Sequence, residues 1–310
     1  MTDWIVFHDY IHPSETHLHG LSRVLVHQQT AYQTILIGES PYFGKILVID
    51  GDIQSSQADE YRYHEALVQP ALTLHPNPRS VYLAGGGEGA TLREILRHPS
   101  IESVQKCDID GEAIALYKTW LPEWHQGSFE DPRVRLFHQD AKSHLALQQD
   151  GSFDVILTDL TEPYENGPSK ALFSREFFSL CHQKLNQNGV LAIQASQLTN
   201  KHFMMHGAIQ HTIRQAFPIV RSYAVYIESF DTMWAFVIAS KGIDPKNYTK
   251  EVIDTTLQSR GLSTQLRYYD GEAHRHLFTL EKDTRSLLNH AHYPIIEDQS
   301  PLTLSRKDGS

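Results

Sequence analysis

Two cysteines in 310 residues are too few to staple a domain. Cys107 and Cys181 both fall in apolar strand or helix contexts, so the expectation is a pair of buried free thiols in a reducing compartment. Long apolar runs are also missing, and no stretch approaches the roughly 20 residues that a membrane-spanning helix needs. The first residues, MTDWIVFHDYIHPSE, lack the basic start and apolar centre of a secretory signal, which points to the cytoplasm and away from a membrane. Basic residues are in deficit, 27 Lys and Arg against 37 Asp and Glu, for a formal net charge of -10. That balance disfavours nucleic acid as a partner and suits a cationic small molecule. Histidine is plentiful at 19 residues, yet none has metal-ligand spacing and no metal is expected. His8, His12, His17 and His19 lie in a polar N-terminal segment expected at the surface.

What is present is an ordinary globular composition, 40% hydrophobic and 21% charged, on a length that suggests two domains. Residues 1–60 read as short strands: 23–28, 32–39 and 45–50 alternate or run apolar, and Asp50-Gly51-Asp52 is a hairpin signal. They predict a small antiparallel β domain. From Asp59 the pattern turns helical, and strands near 80–84, 103–109, 133–138, 153–158, 188–194, 219–226 and 233–240 then alternate with helices near 90–98, 111–119, 140–148, 174–185 and 201–216. Alternation of this kind predicts an α/β fold for 61–310, a Rossmann-like, doubly wound and mainly parallel sheet. A further helix is expected near 249–260, and the closing SRKDGS is expected to fray.

The most informative stretch is 81–110, VYLAGGGEGATLREILRHPSIESVQKCDID. A buried strand runs into Gly85, Gly86, Gly87 and Gly89, a helix follows from Ala90, and Asp108 ends the next strand about twenty residues on. Glycines admit close approach of a ligand to the backbone, the helix start offers free N–H groups, and a strand-end carboxylate can accept both hydroxyls of a ribose. The turn alone is also compatible with a tight connection; with Asp108 it reads as a nucleoside pocket. Glu88 inside the turn would repel a pyrophosphate, so a cationic adenosine derivative such as a sulfonium fits better than a dinucleotide.

Ligands of open α/β sheets sit beyond the carboxyl ends of the strands, where Asp108, Asp140 and Asp159 converge. Asp140 precedes a helix and is either its N-cap or an acceptor for an adenine amino group. Asp159 leads into DLTEPYENGP, an irregular loop that adds Glu162. Carboxylates in such a place can hold the ammonium groups of an amine substrate, and one can take a proton as the amine becomes a nucleophile.

Linked in this order, FGKILVIDGDIQSSQADEYRYHE at 43–65, GGGEG at 85–89, CDID at 107–110, DPRVRLFHQDA at 131–141, DLTEP at 159–163 and GPSKALF at 167–173 resemble the polyamine aminopropyltransferases, the spermidine, spermine and thermospermine synthases. The resemblance spans about residues 40 to 240. It implies a class I methyltransferase-like sheet, no cofactor, and decarboxylated S-adenosylmethionine as co-substrate with methylthioadenosine as product. It further implies donor contacts from Gln54, Gly85, Gly87, Glu88, Asp108, Asp140 and Ala141. Tyr63, His64 and Glu162 would line the acceptor channel, with Asp159 as base and Tyr63 helping to orient the amine. GGGEG, CDID and SFDTMWAFVIASK at 229–241 are closer to the thermospermine synthase branch. Trp234 is similar to that branch, Phe230 stands about where spermidine synthases often have a Tyr, Glu162 replaces the family's usual Asp, and Phe173 its usual Tyr, so that Phe230 and Trp234 join the implied acceptor contacts. The implied reaction is aminopropyl transfer to spermidine, in a homodimer or homotetramer. A spermidine synthase using putrescine, an S-adenosylmethionine methyltransferase, and a non-catalytic nucleoside-binding protein are the rival readings.

Overall fold

The computed structural model describes residues 5–12, 15–290 and 292–304. The tail SRKDGS, beginning after residue 304, therefore lies outside the described residues. Six strands open the chain: β1 (Ile5–His12), β2 (Glu15–Leu21), β3 (Arg23–Gln29), β4 (Thr34–Ser40), β5 (Gly44–Ile49) and β6 (Asp52–Ser56). β1 and β2 form one antiparallel pair, and β3-β4-β5-β6 form a second antiparallel sheet. The Asp50-Gly51 turn between β5 and β6 has both residues at positive φ, 52° and 93°, as a tight right-twisted hairpin demands.

The β1–β2 hairpin is a departure from the expected polar surface segment. His19 is only 8% exposed, packed between Phe7 and Phe43 with ring centroids 6.0 and 5.8 Å away, and Asp9 is 3% exposed. Period-2 alternation explains this, because every second residue of the hairpin turns inward. His8 is exposed as expected and His17 half-buried, whereas the side chain of His12 lies outside the description.

After α1 (Glu60–Leu74) come β7 (Ser80–Gly85), α2 (Ala90–Leu96), β8 (Ser103–Cys107), α3 (Gly111–Trp120), α4 (Pro122–His125), β9 (Val134–Phe137), α5 (Ala141–Ala146), β10 (Phe153–Asp159), α6 (Arg175–Lys184), β11 (Leu185–Gln197), α7 (Met204–Ile213), β12 (Ile219–Ile227) and β13 (Thr232–Ser240). The strands assemble in the order β12-β13-β11-β10-β7-β8-β9. Only β13 runs against the others, so the sheet is mainly parallel and of the expected Rossmann-like, class I methyltransferase-like kind. One face is covered by α1 and α2, with Leu67, Val68, Leu92 and Ile95 fully buried; the other is covered by α6 and α7, with Phe177, Phe178, Ala208 and Ile209. Phe173 is fully buried in this second core, and so is Cys181, while Cys107 is a second buried free thiol.

A third cluster joins the two parts of the chain. Ile35, Ile37, Leu47 and Ile49 of the four-stranded sheet pack on Ala113, Tyr117, Leu121 and Trp124, and the Trp124 Nε1–H donates to Ser55 Oγ at 2.7 Å. The N-terminal sheet thus roofs the carboxyl ends of β7 and β8.

Beyond β13 the expected helix is α8 (Lys250–Ser259), but two more, α9 (Gly271–Leu277) and α10 (Lys282–His290), were not legible in the pattern. They are short and polar, and tertiary contacts hold the segments around them. Buried Glu65 accepts the backbone N–H groups of Arg267, Tyr268 and Tyr269 at 2.8–2.9 Å, and the Ile296 N–H donates to Thr212 Oγ1 at 3.0 Å. Tyr293 lies against Gly207 of α7, where an added Cβ would fall 2.1 Å from Tyr293 Cε1. Gly207→Ala, which would ordinarily favour a helix, should instead lower stability by about 1–3 kcal/mol through overpacking. A thermal unfolding midpoint at or above that of the unsubstituted protein would refute this.

Candidate active site

The glycine turn is built by exclusion of side chains. Gly85, Gly86 and Gly89 adopt φ of 77°, 70° and 85°, the left-handed region that favours glycine. A Cβ on Gly85 would lie 2.1 Å from the carbonyl oxygen of Asp159, and one on Gly87 would press to 2.9 Å from the Tyr117 ring. The turn is pinned from two sides. Gly86 N–H donates to Asp159 O at 2.7 Å, and the buried Lys106 ammonium donates to Gly85 O and Gly86 O at 2.6 and 2.9 Å. Because β7 and β10 are adjacent and in register, Asp159 stands directly beside Gly85 at the point where the strand order reverses.

The cleft at this place spans about 1100 Å³, open solvent at its mouth included. All the site residues expected from sequence line it: Gln54, Tyr63, His64, Gly85, Gly87, Glu88, Asp108, Asp140, Ala141, Asp159, Glu162, Phe230 and Trp234. At the nucleoside end, Asp108 accepts the Asp110 N–H at 3.1 Å and lies 3.6 Å from Lys106 Nζ. Asp140 is the N-cap of α5, accepting Ser143 N–H on Oδ1 at 2.7 Å. The capping role and the cleft position coexist, since the N-cap bond uses one oxygen.

Glu88 is engaged by a chain of alternating charge. His64 Nε2 meets Glu88 Oε1 at 2.7 Å, His64 Nδ1 meets Glu60 Oε2 at 2.8 Å, and Arg93 holds both oxygens of Glu60 at 2.9 and 3.1 Å. Burial alone would lower the His64 pKa, but its two carboxylate partners push it up to about 10. The same contacts outweigh burial at Glu60, bringing it down to about 2, and lower Glu88. His64, expected to face the acceptor, is therefore an imidazolium clamped between two acids. Its ring, Glu88 and Asp159 bring potential ligand atoms within 4.8 Å of one another, and a metal there would have to displace the proton that His64 gives to Glu88.

Asp159 is held by hydroxyls instead. Tyr63 donates to Oδ1 at 2.8 Å and Thr91 to Oδ2. Burial, with Glu88 nearby, raises the Asp159 pKa, and burial with Asp159 raises that of Tyr63, so the phenol stays protonated and donates. Tyr63, Phe230 and Trp234 form an aromatic wall, with ring centroids 6.4 and 5.1 Å apart in edge-on pairs. Farther along, Glu162 accepts from Ser196 on Oε1 and from Tyr164 at 3.4 Å on Oε2. Burial and Asp52 raise Glu162 to about 7; burial, then Asp52, then Glu162 bring Asp9 to about 7 as well.

Sequence reasoning missed Asp9 and Asp52, which approach Glu162 from the N-terminal strands; it also missed Gln33, Thr91 and Lys106. Gln33 lines the cleft and donates to Asp110 at 3.0 Å. Lys106 had a partial signal, the one cation of the strand that leads into Asp108. Nothing local marks Asp9 of β1 or Asp52 of β6, because only the folding of the two N-terminal sheets brings both under the influence of one another and of Glu162.

Comparison with known proteins gives a consistent set of relatives. The spermine/spermidine synthase domain matches residues 60–250, and the spermidine synthase tetramerisation domain matches residues 5–57. The chain is 37% identical over 290 residues to polyamine aminopropyltransferase 2 of Pseudomonas aeruginosa, covering 93% of this chain and 82% of that protein. It is 36% identical over 301 residues to the polyamine aminopropyltransferase of Aeropyrum pernix, covering 96% and 95%. Among solved structures, a spermidine synthase in complex with the transition-state analogue AdoDATO superposes with a TM-score of 0.85 at 31% identity, covering 92% of this chain and 94% of that one. Spermidine synthase from Thermotoga maritima gives 0.83 at 30% identity, with the same coverage.

Asp9 supplies a test of the site's electrostatics. Its folded-state pKa of about 7 lies above its ordinary 3.8, so ionisation costs stability progressively as pH rises from about 4 through 7. Asp9→Asn should therefore raise the thermal midpoint, with a gain that grows between pH 5 and pH 8. A gain that shrinks over that interval would contradict the assignment.

Proposed function

The chain belongs to the spermine/spermidine synthase family of polyamine aminopropyltransferases, and from that membership we propose that it transfers the aminopropyl group of decarboxylated S-adenosylmethionine to spermidine, giving thermospermine or spermine and methylthioadenosine. The observation that carries the choice of acceptor is the run of acids beyond Asp159. Burial and Asp52 raise the pKa of Glu162, and burial, Asp52 and Glu162 raise that of Asp9. A triamine has an ammonium to offer there as well as one at Asp159. The alternative, a spermidine synthase acting on putrescine, is favoured by the names of the solved neighbours.

In this reading the donor lies along the glycine turn, with Gly85 and Gly87 allowing close approach. Asp108 takes the ribose hydroxyls and Asp140 the adenine amino group through the oxygen not used for capping, beside Ala141. Gln54 and Glu88 hold the aminopropyl end. Glu88 keeps Oε1 on His64, which fixes its orientation for the donor ammonium. The acceptor enters along Tyr63, Phe230 and Trp234 towards Glu162. Residues 1–60 then act as an assembly domain of a homodimer or homotetramer, with Ile5, Val6 and Leu18 of the hairpin 50, 50 and 64% exposed, and residues 61–310 as the catalytic domain.

An alkyl ammonium has a pKa of about 10.4 and arrives protonated. Asp159, with its own pKa raised by burial, accepts a proton more readily than an ordinary carboxylate. The freed nitrogen lone pair attacks the methylene carbon next to the sulfonium, the C–S bond breaks with its electrons going to sulfur, and a neutral thioether leaves. Holding nitrogen and carbon in line supplies much of the acceleration.

Asp159→Asn should lower kcat by about 10²–10⁴-fold with methylthioadenosine affinity unchanged; an unchanged kcat would remove Asp159 as the base. Incubation with decarboxylated donor and each of putrescine, spermidine and agmatine should give the highest kcat/KM with spermidine, and resolving the two tetraamine isomers identifies the attacking nitrogen. A preference for putrescine would replace the proposal by its alternative. Because Glu162 ionises near pH 7, acceptor kcat/KM should rise with pH through that region; a flat profile from pH 5.5 to 8 would contradict a role for its charge.

A further inference from the structure

We propose that Ser196 is a positioning residue for the acceptor half of the cleft: a bulge in β11 holds it in the left-handed region so that its hydroxyl donates to Glu162 and aims that carboxylate at the incoming amine. The inference rests on the reading of the cleft as an aminopropyltransferase site. In the β11–β13 pairing, Gln194 is opposite Phe236 and Gln197 is opposite Trp234, so Ala195 and Ser196 together face the single residue Ala235. Such bulges re-aim a side chain locally. Ser196 has φ of 66° and is 6% exposed. Among the described residues the other non-glycine positions with positive φ are Asp50, Gln126 and Asp231, all in turns or at helix ends. Ser196 alone sits inside a buried strand, where glycine would carry no steric penalty.

A left-handed serine persists in such a place only when its surroundings hold it. Here Gln194 does so, accepting the Ser196 N–H on Oε1 at 3.1 Å while its Nε2–H donates to Leu160 O at 2.8 Å. One carboxamide therefore ties the bulge to the loop that begins at Asp159. The Ser196 hydroxyl then meets Glu162 Oε1. The loop backbone at Glu162 is fixed independently, because its carbonyl accepts from Tyr164 N–H at 2.8 Å and Ser169 Oγ at 3.1 Å. Removing the hydroxyl of Ser196 should thus release the Glu162 side chain without moving the loop.

The groups that act on Glu162 are Ser196 from β11, Asp52 from β6 and Tyr164 from its own loop, and Glu162 in turn acts on Asp9 of β1. Burial and Asp52 disfavour its ionised form, whereas the serine and tyrosine hydroxyls favour it. Loss of that donor raises the Glu162 pKa further, so a larger share of the enzyme presents a neutral acid to a cationic substrate.

Ser196→Gly tests this, because glycine keeps the backbone conformation and deletes only the hydroxyl. The variant should unfold at or above the midpoint of the unsubstituted protein. Its KM for spermidine should rise about tenfold, the scale of losing a hydrogen bond to a charged group, with donor KM and kcat within about twofold. The acid limb of acceptor kcat/KM should move to higher pH. In the double variant with Glu162→Gln, the serine substitution should add nothing further, since it acts through that carboxylate. An unchanged acceptor KM and pH limb, additive losses in the double variant, or equal losses of donor and acceptor KM with a lowered midpoint would each overturn the inference. If Glu162→Gln raises acceptor KM and Ser196→Gly does not, only the role of Ser196 fails. If the unsubstituted protein transfers no aminopropyl group to any polyamine, the reading of the site itself fails.

Discussion

The site depends on the contact between the glycine turn after β7 and the end of β10. Gly86 donates to the carbonyl of Asp159, and Gly85 lies so close to the same oxygen that no side chain fits between them. This single approach sets the distance between the backbone expected to receive the nucleoside and the carboxylate expected to take the proton. It also explains why a lysine is buried beneath the turn. The Lys106 ammonium bridges the carbonyls of Gly85 and Gly86, the second of which also accepts the Gly89 N–H within the turn.

Around that contact, charge is handled in two ways. Glu88 and Glu60 are matched by His64 and Arg93 in a line of alternating sign, so their ionised forms are stabilised inside the fold. Asp159 and Glu162 are held by Tyr63, Thr91 and Ser196, hydroxyl donors that orient a carboxylate without supplying charge. The first arrangement makes a rigid wall. The second leaves anionic character for a cation that arrives from solution, and it costs stability when the cleft holds none. Buried acids with raised pKa values therefore cluster where the substrate ammonium groups are expected.

Much of this was legible in the chain. Period-2 and period-3.6 patterning located the strands and helices of the central sheet, and the glycine run with acids at three strand ends located the cleft. Gly85, Gly87, Glu88, Asp108, Asp140, Asp159 and Glu162 share one cavity because they sit at strand ends or in the loops that follow them, where chain position translates directly into sheet position, whereas Gln54 in β6, Tyr63 and His64 in α1 and Trp234 in β13 reach it through packing. The failures share a cause. β1 and β2 carry histidines and acids that read as solvated, and their burial follows from packing against Phe43 and the cleft. β11 runs to Gln197, past its apolar stretch at 188–194, because β13 pairs with it from Val190 through Gln197. α9 and α10 are short, at seven and nine residues, and polar on average, so they give little signal in the chain.

Local chemistry in the sequence by itself determined the alternating α/β architecture, the nucleoside turn and the identity of the acids at the strand ends, because backbone conformation and strand-end placement follow from near neighbours. Only the tertiary structure decided how those acids are held. It put an imidazolium between Glu60 and Glu88, hydroxyls on Asp159 and Glu162, and Asp9 of β1 and Asp52 of β6 near Glu162. Protonation and orientation depend on burial and on partners distant in the chain, and such partners exist only once the sheets have closed over one another.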